Sequence, residues 1–128
     1  MLDQNGDIVR MIPPKQKSQV QTSPEQFELV RKAMRQTVTS GTGRSCDVPG
    51  IAVCGKTGSA ENPGHPAHAW FVCFAPLEKP TIAIACIVEH GRHGASAAGP
   101  VCRAILDVYY GKRQPDQIGV SKASVSGD

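Results

Sequence analysis

The segment Gly50–Ser59, GIAVCGKTGS, holds the residues of this chain best suited to chemistry, and it satisfies two incompatible patterns. Its first eight residues fit G-x-x-x-x-G-K-[ST], in which the backbone N–H groups of a glycine-rich loop cradle phosphate and the chain then opens into a helix. Its last five, GKTGS, line up a fixed positive charge at Lys56, a hydroxyl at Thr57, a position without a side chain at Gly58 and a second hydroxyl at Ser59. On a strand, the ammonium of Lys56 and the hydroxyl of Thr57 suit a terminal carboxylate.

The flanking residues separate the two. A phosphate loop must follow a buried strand, be a flexible cradle and lead directly into a helix. Here SCDVP precedes, the four residues between the glycines are the apolar Ile-Ala-Val-Cys, and Thr57 leads to Gly58 and then Asn62-Pro63-Gly64. A strand is expected where the cradle should be, so the phosphate-loop match is a coincidence of spacing.

Three strand-like runs carry this segment: IAVCGKTGS, AWFVCFAP and TIAIACIVEH, separated by the turn-forming ENPGHPAH and by LEKP. Connections this short require antiparallel neighbours. The expected fold is α+β: an antiparallel sheet with the Lys56 strand at one edge, the TIAIACIV strand at the other, and a helix over 96–110 packed across one face. That helix reads from SAAGPVCRAILDVYYG, with Ser96 as N-cap, Pro100 in the first turn, Gly111 as the stop, and Val101, Ile105 and Val108 toward the sheet. An earlier helix reads from TSPEQFELVRKAMRQTV, capped by Thr22 or Ser23 with Gln26 completing a capping box, and Phe27, Val30, Met34 and Val38 forming one buried stripe. Before it come an Asn5-Gly6 turn, an Ile8-Val9 strand candidate and the polar connector PPKQKSQVQT; between helix and sheet lies the loop SGTGRSCDVPG.

Composition narrows the function classes. The chain has 128 residues, enough for one domain or part of one, and no apolar run near the ~18 residues that span a bilayer. A formal charge of +3, 5% aromatics and no long basic block argue against nucleic acid as a partner. Five cysteines, Cys46, Cys54, Cys73, Cys86 and Cys102, lack C-x-x-C spacing and read as small buried hydrophobes rather than a disulfide framework. The pairs His65-Pro-Ala-His68 and His90-Gly-Arg-His93, with Cys54 or Cys73 nearby, imitate a zinc site, but spacing alone is weak and these are expected to be loop and strand histidines; no metal or cofactor is expected. Trp70 and Phe71 read as packing residues, and Glu61 and Glu89 as solvated carboxylates.

With the strand context in place, GKTGSAENPG followed by HAWFVCFAPLEKPTIAIACIVEHGRHGASAAGP and a closing DVYYG resembles the C-terminal part of the transpeptidase domain of a class B penicillin-binding protein, elongation type. The ordered blocks K-T-G, H-A-W-F, F-A-P, a proline-led strand, V-E-x-G and A-x-P carry the resemblance. His90 stands where that family usually has Asn, Gly99 replaces an alanine before Pro100, and Ser59 replaces the commoner Thr. The resemblance covers residues 1–111, with 112–128 left as a polar, Ser-rich tail expected to be largely disordered.

The resemblance implies a D,D-transpeptidase that cross-links peptidoglycan stem peptides through an acyl-serine, on the extracytoplasmic face of the membrane. Its partners would be the D-Ala-D-Ala end of the stem peptide, β-lactams, the cell-elongation machinery and an upstream part of the same protein. Lys56, Thr57, Gly58 and Ser59 would bind substrate, which lies alongside the edge strand and pairs with its backbone, Gly58 leaving room for it. The backbone N–H of Ser59 would be one donor of the oxyanion hole. The family's nucleophile is the serine of S-x-x-K, assisted by S-x-N, yet no serine here has Lys three or Asn two residues on. The chain is therefore expected to be an incomplete, catalytically silent part of the domain, and failing turnover it would act as a weak peptide-binding or structural module. Incubated with a fluorescent penicillin and resolved on a denaturing gel, the 128-residue chain should carry no label; stable acylation of any of its serines would contradict this reading.

Overall fold

The computed structural model describes residues 13 and 15–114, so the Asn5-Gly6 turn, the Ile8-Val9 strand and all of the tail beyond 114 lie outside the described residues. Residues 15–22 have no regular structure, as the polar connector implies.

Helix α1, Pro24–Thr39, starts where its punctuation places it. Ser23 is the cap: its hydroxyl accepts the N–H of Gln26 at 3.3 Å, and the Gln26 side-chain oxygen accepts the N–H of Ser23 at 3.1 Å. Two of the unpaired N–H groups at the helix start are satisfied reciprocally. The expected buried stripe is corrected. Val38 is fully buried and Met34 partly so, but Phe27 and Val30 are each 58% exposed. Periodicity does put them on one face, where they line a shallow apolar groove with Met34, Phe74 and Pro80. Among the described residues nothing covers the first two turns.

The sheet has strand order β1-β2-β3, antiparallel throughout, with β1 Cys54–Asn62, β2 His65–Ala75 and β3 Ile82–Val88. The Lys56 strand and the Ile82–Val88 strand are its two edges, as expected. Their bounds differ from the reading of sequence. Strand β1 begins only at Cys54, because Ile51 instead bridges to Val48 around Pro49 and Gly50, whose φ is +80°. At the other end β1 and β2 consume most of ENPGHPAH, leaving the turn at Pro63-Gly64 with Gly64 at φ +81°. A two-residue connection keeps both strands in the ladder up to the turn.

Helix α2, Ala98–Tyr109, packs against β2, β3 and the short 3-10 turn Arg44–Cys46. Two expectations about it fail. Its cap is Ala97, and Ser96 instead donates its hydroxyl to the carbonyl of His93 at 3.3 Å, closing a turn ahead of the helix. Its buried face is Ala98, Gly99, Cys102 and Leu106, whereas Val101 and Ile105 are 44% and 41% exposed and Val108 is half-buried. The physical reason is a polar flank. Asp107 is buried, paired through Oδ1 with Arg103 Nε at 2.8 Å, and Arg103 also donates to the carbonyl of Asp47. Drawing 103 and 107 against that loop turns 101 and 105 toward water. Asp47 in turn pairs with Arg35 of α1 at 3.3 Å, so one polar seam joins both helices. The helix stops at Gly111, φ +65°, as its position implies.

The core joins Val38, Val48, Val53, Phe71 and Leu106 with Ala69, Ala75, Ala98 and the thiols Cys46, Cys73 and Cys102. All five cysteines are free, and all but Cys86 are buried. For Cys73, the hydrogen bond with Cys102 lowers the pKa, but the Cys46 thiol and burial outweigh it and push the group up to about 12. Cys102 is likewise raised by its bond with Cys73 and by burial, and Cys54 and Cys86 by burial. They pack as neutral thiols. The corrected face of α2 makes a sharp contrast: Leu106→Ala should cost about 2–5 kcal/mol, and Ile105→Ala less than half as much, in urea unfolding. Equal costs would mean that the helix is rotated from the face described.

Candidate functional site

The four residues singled out in the sequence lie together. Lys56, Thr57, Gly58 and Ser59 form one wall of an open cleft of about 480 Å³, faced by Thr42 from the loop after α1 and by His93, Gly94 and Ala95 from the loop before α2. Among the described residues β1 pairs only with β2, through Lys56↔Val72, Thr57↔Phe71, Gly58↔Trp70 and Ser59↔Ala69, which leaves its other edge open.

Each side chain has a defined neighbour. The ammonium of Lys56, itself exposed, donates to the carbonyl of Thr57 at 2.7 Å. The hydroxyls of Thr57 and Thr42 lie 2.9 Å apart. Ser59 donates its hydroxyl to the carbonyl of Arg92 at 3.1 Å, tying β1 to the 90–97 loop. That loop is also held at Ala67, whose carbonyl accepts the N–H of Arg92 at 2.8 Å. His90 and Arg92 within it both have positive φ, +56° and +64°, a region in which Asn and His are enriched among non-glycine residues.

Two glycines permit close approaches at and behind the cleft. A Cβ on Gly55 would lie 2.8 Å from the buried Phe71 ring, and one on Gly94 would lie 2.2 Å from the Trp70 carbonyl oxygen and 2.9 Å from that of Gly58. The reason given for Gly58 is corrected. Side chains stand perpendicular to a sheet, so one at 58 would not come between β1 and an added strand; it would meet Trp70 Cβ at 3.3 Å. The close approach to Gly58 is made by Gly94.

The remaining candidates separate from this cleft. Phe71 is core, but Trp70, expected to pack, is 38% exposed. Glu61 and Glu89 are exposed. His65 and His68 lie on β2 rather than in a loop, and His90 packs near both, with ring centroids 5.8 and 5.1 Å away, its N–H donating to His68 Nδ1 at 3.1 Å. Among the described residues no group of three His, Cys, Asp or Glu is placed to hold a metal ion. Thr42, His93, Gly94 and Ala95 also line the cleft, which the sequence did not indicate; they sit in loops whose glycine-rich composition signals a turn but not which wall of which cleft it will form.

The three-stranded sheet is backed by helices and carries Lys-Thr-Gly-Ser on its open edge. The chain belongs to the family described as the penicillin-binding protein transpeptidase domain, which it matches over residues 3–107. It is 35% identical over 118 residues to the peptidoglycan D,D-transpeptidase MrdA of Acinetobacter baumannii, an alignment covering 80% of this chain and 17% of MrdA. Among solved structures it resembles penicillin-binding protein A from M. tuberculosis in an imipenem acyl-enzyme complex (34% identity, TM-score 0.56, 70% of this chain and 20% of that one). It also resembles a chain of the complex between penicillin-binding protein PBP2 and MreC from Helicobacter pylori (31% identity, TM-score 0.58, 67% of this chain and 17% of that one). The chain thus spans about a sixth of the length of the curated relative, 17%.

Because a side chain at 94 would meet backbone, which cannot swing aside, Gly94→Ala should lower stability by about 1–3 kcal/mol and shift the amide resonances of Gly58 and Ser59. Wild-type stability with unchanged amides would show that the two walls do not touch.

Proposed function

We propose that this chain forms the substrate-binding edge of a peptidoglycan D,D-transpeptidase, and that the cleft beside β1 receives the D-Ala-D-Ala end of a stem peptide or a β-lactam in its place. The observation that carries this is the placement of Lys56, Thr57 and Ser59 along an open strand edge that forms one wall of a cleft. Family membership and the imipenem acyl-enzyme of a similar protein support it.

In this reading each residue has one task. The terminal carboxylate takes the Lys56 ammonium and the Thr57 hydroxyl, a charge-assisted pair of donors. Peptide groups alternate along an antiparallel strand between partner and open side, so those of Thr57 and Ser59 point the same way. The ammonium resting on the Thr57 carbonyl marks that side as the open one. Drawn off by a carboxylate, Lys56 would free that carbonyl for an N–H of the substrate, and strand addition along β1 would align the scissile bond. The Ser59 N–H then serves as one oxyanion donor while a serine from outside these residues attacks the carbonyl, its proton leaving on the released D-alanine. The acyl group passes next to the amine of a second stem peptide.

The whole enzyme would act at the extracytoplasmic face of the membrane with the elongation machinery; the similarity to a PBP2 that is bound to MreC supports a protein partner of that kind. Among the described residues no helix is long and apolar enough to cross a membrane. The second reading is a module that binds peptide without turnover; the 128 residues themselves hold no S-x-x-K and no S-x-N.

Lys56→Ala, made in a form of the protein that carries an S-x-x-K serine, tests the first. Loss of one charge-assisted bond, about 1.5–3 kcal/mol, should slow β-lactam acylation about ten- to hundredfold. The side chain is exposed, so stability should change by less than about 1 kcal/mol. Unchanged acylation, or collapse of the fold, would remove Lys56 from the site.

A further inference from the structure

The Gly41-Thr42-Gly43 turn has no role in the reading above, yet its geometry excludes a side chain at Gly41 and crowds one at Gly43. The N–H of Gly41 reaches the carbonyls of Gln36 and Thr37 at 3.1 Å each, and that of Gly43 reaches Thr37 at 2.9 Å, so the chain doubles back tightly over the end of α1. A Cβ on Gly41 would lie 2.9 Å from the Thr37 backbone, and one on Gly43 would lie 3.2 Å from Thr37 and 3.4 Å from the Phe71 ring. The turn therefore sits on the helix end and on the core residue paired with Thr57. Its one side chain, Thr42, is exposed and held out over β1, with Oγ1 2.9 Å from Thr57 Oγ1.

A pair of hydroxyls shares one hydrogen along the line between them, and its direction decides what the second can do. If Thr57 donated to Thr42, its only proton would be spent inside the protein and its lone pairs would repel a carboxylate. If Thr42 donates, the Thr57 proton stays free to point into the cleft, and Thr57 becomes a donor aimed beside the Lys56 ammonium. An arriving anion selects the second arrangement.

We propose that Thr42 is a positioning residue: its hydroxyl fixes the Thr57 side chain and orients the Thr57 proton toward the cleft, which biases the site to a carboxylate-terminated peptide over its neutral amide. This deepens the carboxylate-site reading above and rests on it for the ligand, but not for the effect on Thr57.

The test uses the 128-residue chain, isotopically labelled, as wild type, Thr42→Val and Thr42→Ser. Three-bond couplings to Thr57 Cγ2 report its χ1 without ligand, and amide shifts of residues 57–59 report titration with N-acetyl-D-alanyl-D-alanine and with its C-terminal amide. Wild type and Thr42→Ser should show one Thr57 rotamer and bind the acid in preference to the amide. Thr42→Val, the same shape without the hydroxyl, should average the couplings and weaken acid binding about three- to tenfold, as for loss of one hydrogen bond, with its melting temperature nearly unchanged. A single Thr57 rotamer and unchanged affinity in Thr42→Val would overturn the proposal, as would a Thr42→Ser variant that behaves like Thr42→Val, since the methyl would then be the active part. Averaged couplings in Thr42→Val with no wild-type response to either peptide would sustain the effect on the Thr57 side chain and overturn the carboxylate reading instead.

Discussion

The buried ring of Phe71 lies against Gly55, in the space a side chain there would need, and the register of β1 on β2 follows from that contact. A slip of one residue would send every side chain of β1 to the opposite face and bring Lys56 against the ring. With the ring seated on Gly55, Thr57 pairs with Phe71 and Gly58 with Trp70, and the open edge presents Thr57 and Ser59 to the cleft. The same ring approaches Gly43, so one core residue sets the strand and the turn that holds Thr42.

The second wall is held differently. The 90–97 segment crosses from β3 to α2 with two non-glycine residues at positive φ, a conformation that persists only where its surroundings over-determine it. They do so at several points: Arg92 N–H on Ala67, Ser59 on the Arg92 carbonyl, His90 N–H on His68, and Gly94 against the Gly58–Trp70 pair. A site of this kind draws its precision from a loop clamped to a sheet rather than from the loop itself.

Behind both walls the polar seam Arg35–Asp47–Arg103–Asp107 joins α1 to α2 through the loop between them. The cost of burying Asp107 is offset by its pairing with Arg103. Because Arg103 is shared with the Asp47 carbonyl, the pair also fixes the rotation of α2. Gly99 on that helix leaves the space that Ser45 occupies, its hydroxyl 2.2 Å from where a Cβ would stand and bonded to the Ala95 carbonyl at 2.6 Å. Gly99, where the resemblance implies an alanine, thus has a neighbour that uses the space.

The sequence by itself determined whatever depends on local chemistry. The Ser23–Gln26 box, the glycine stop at 111 and the antiparallel order forced by short connections are interactions among near neighbours, and all are present. The Lys56–Ser59 segment was legible for the same reason, since four residues that line the cleft fall in one short run on a strand. Only the tertiary structure decided which faces are buried and what completes the cleft. Periodicity places Val101 and Ile105, or Phe27 and Val30, on one side of a helix, but burial depends on what arrives from elsewhere in the chain: Asp47 on the flank of α2, and among the described residues nothing over the start of α1. Thr42 stands fifteen residues before Thr57, and Gly94 thirty-six after Gly58, in turns whose composition encodes only that the chain bends. Their meeting at 2.9 Å and at backbone contact is set by the closing of the sheet and its helices around Phe71, a long-range constraint that no window of sequence contains.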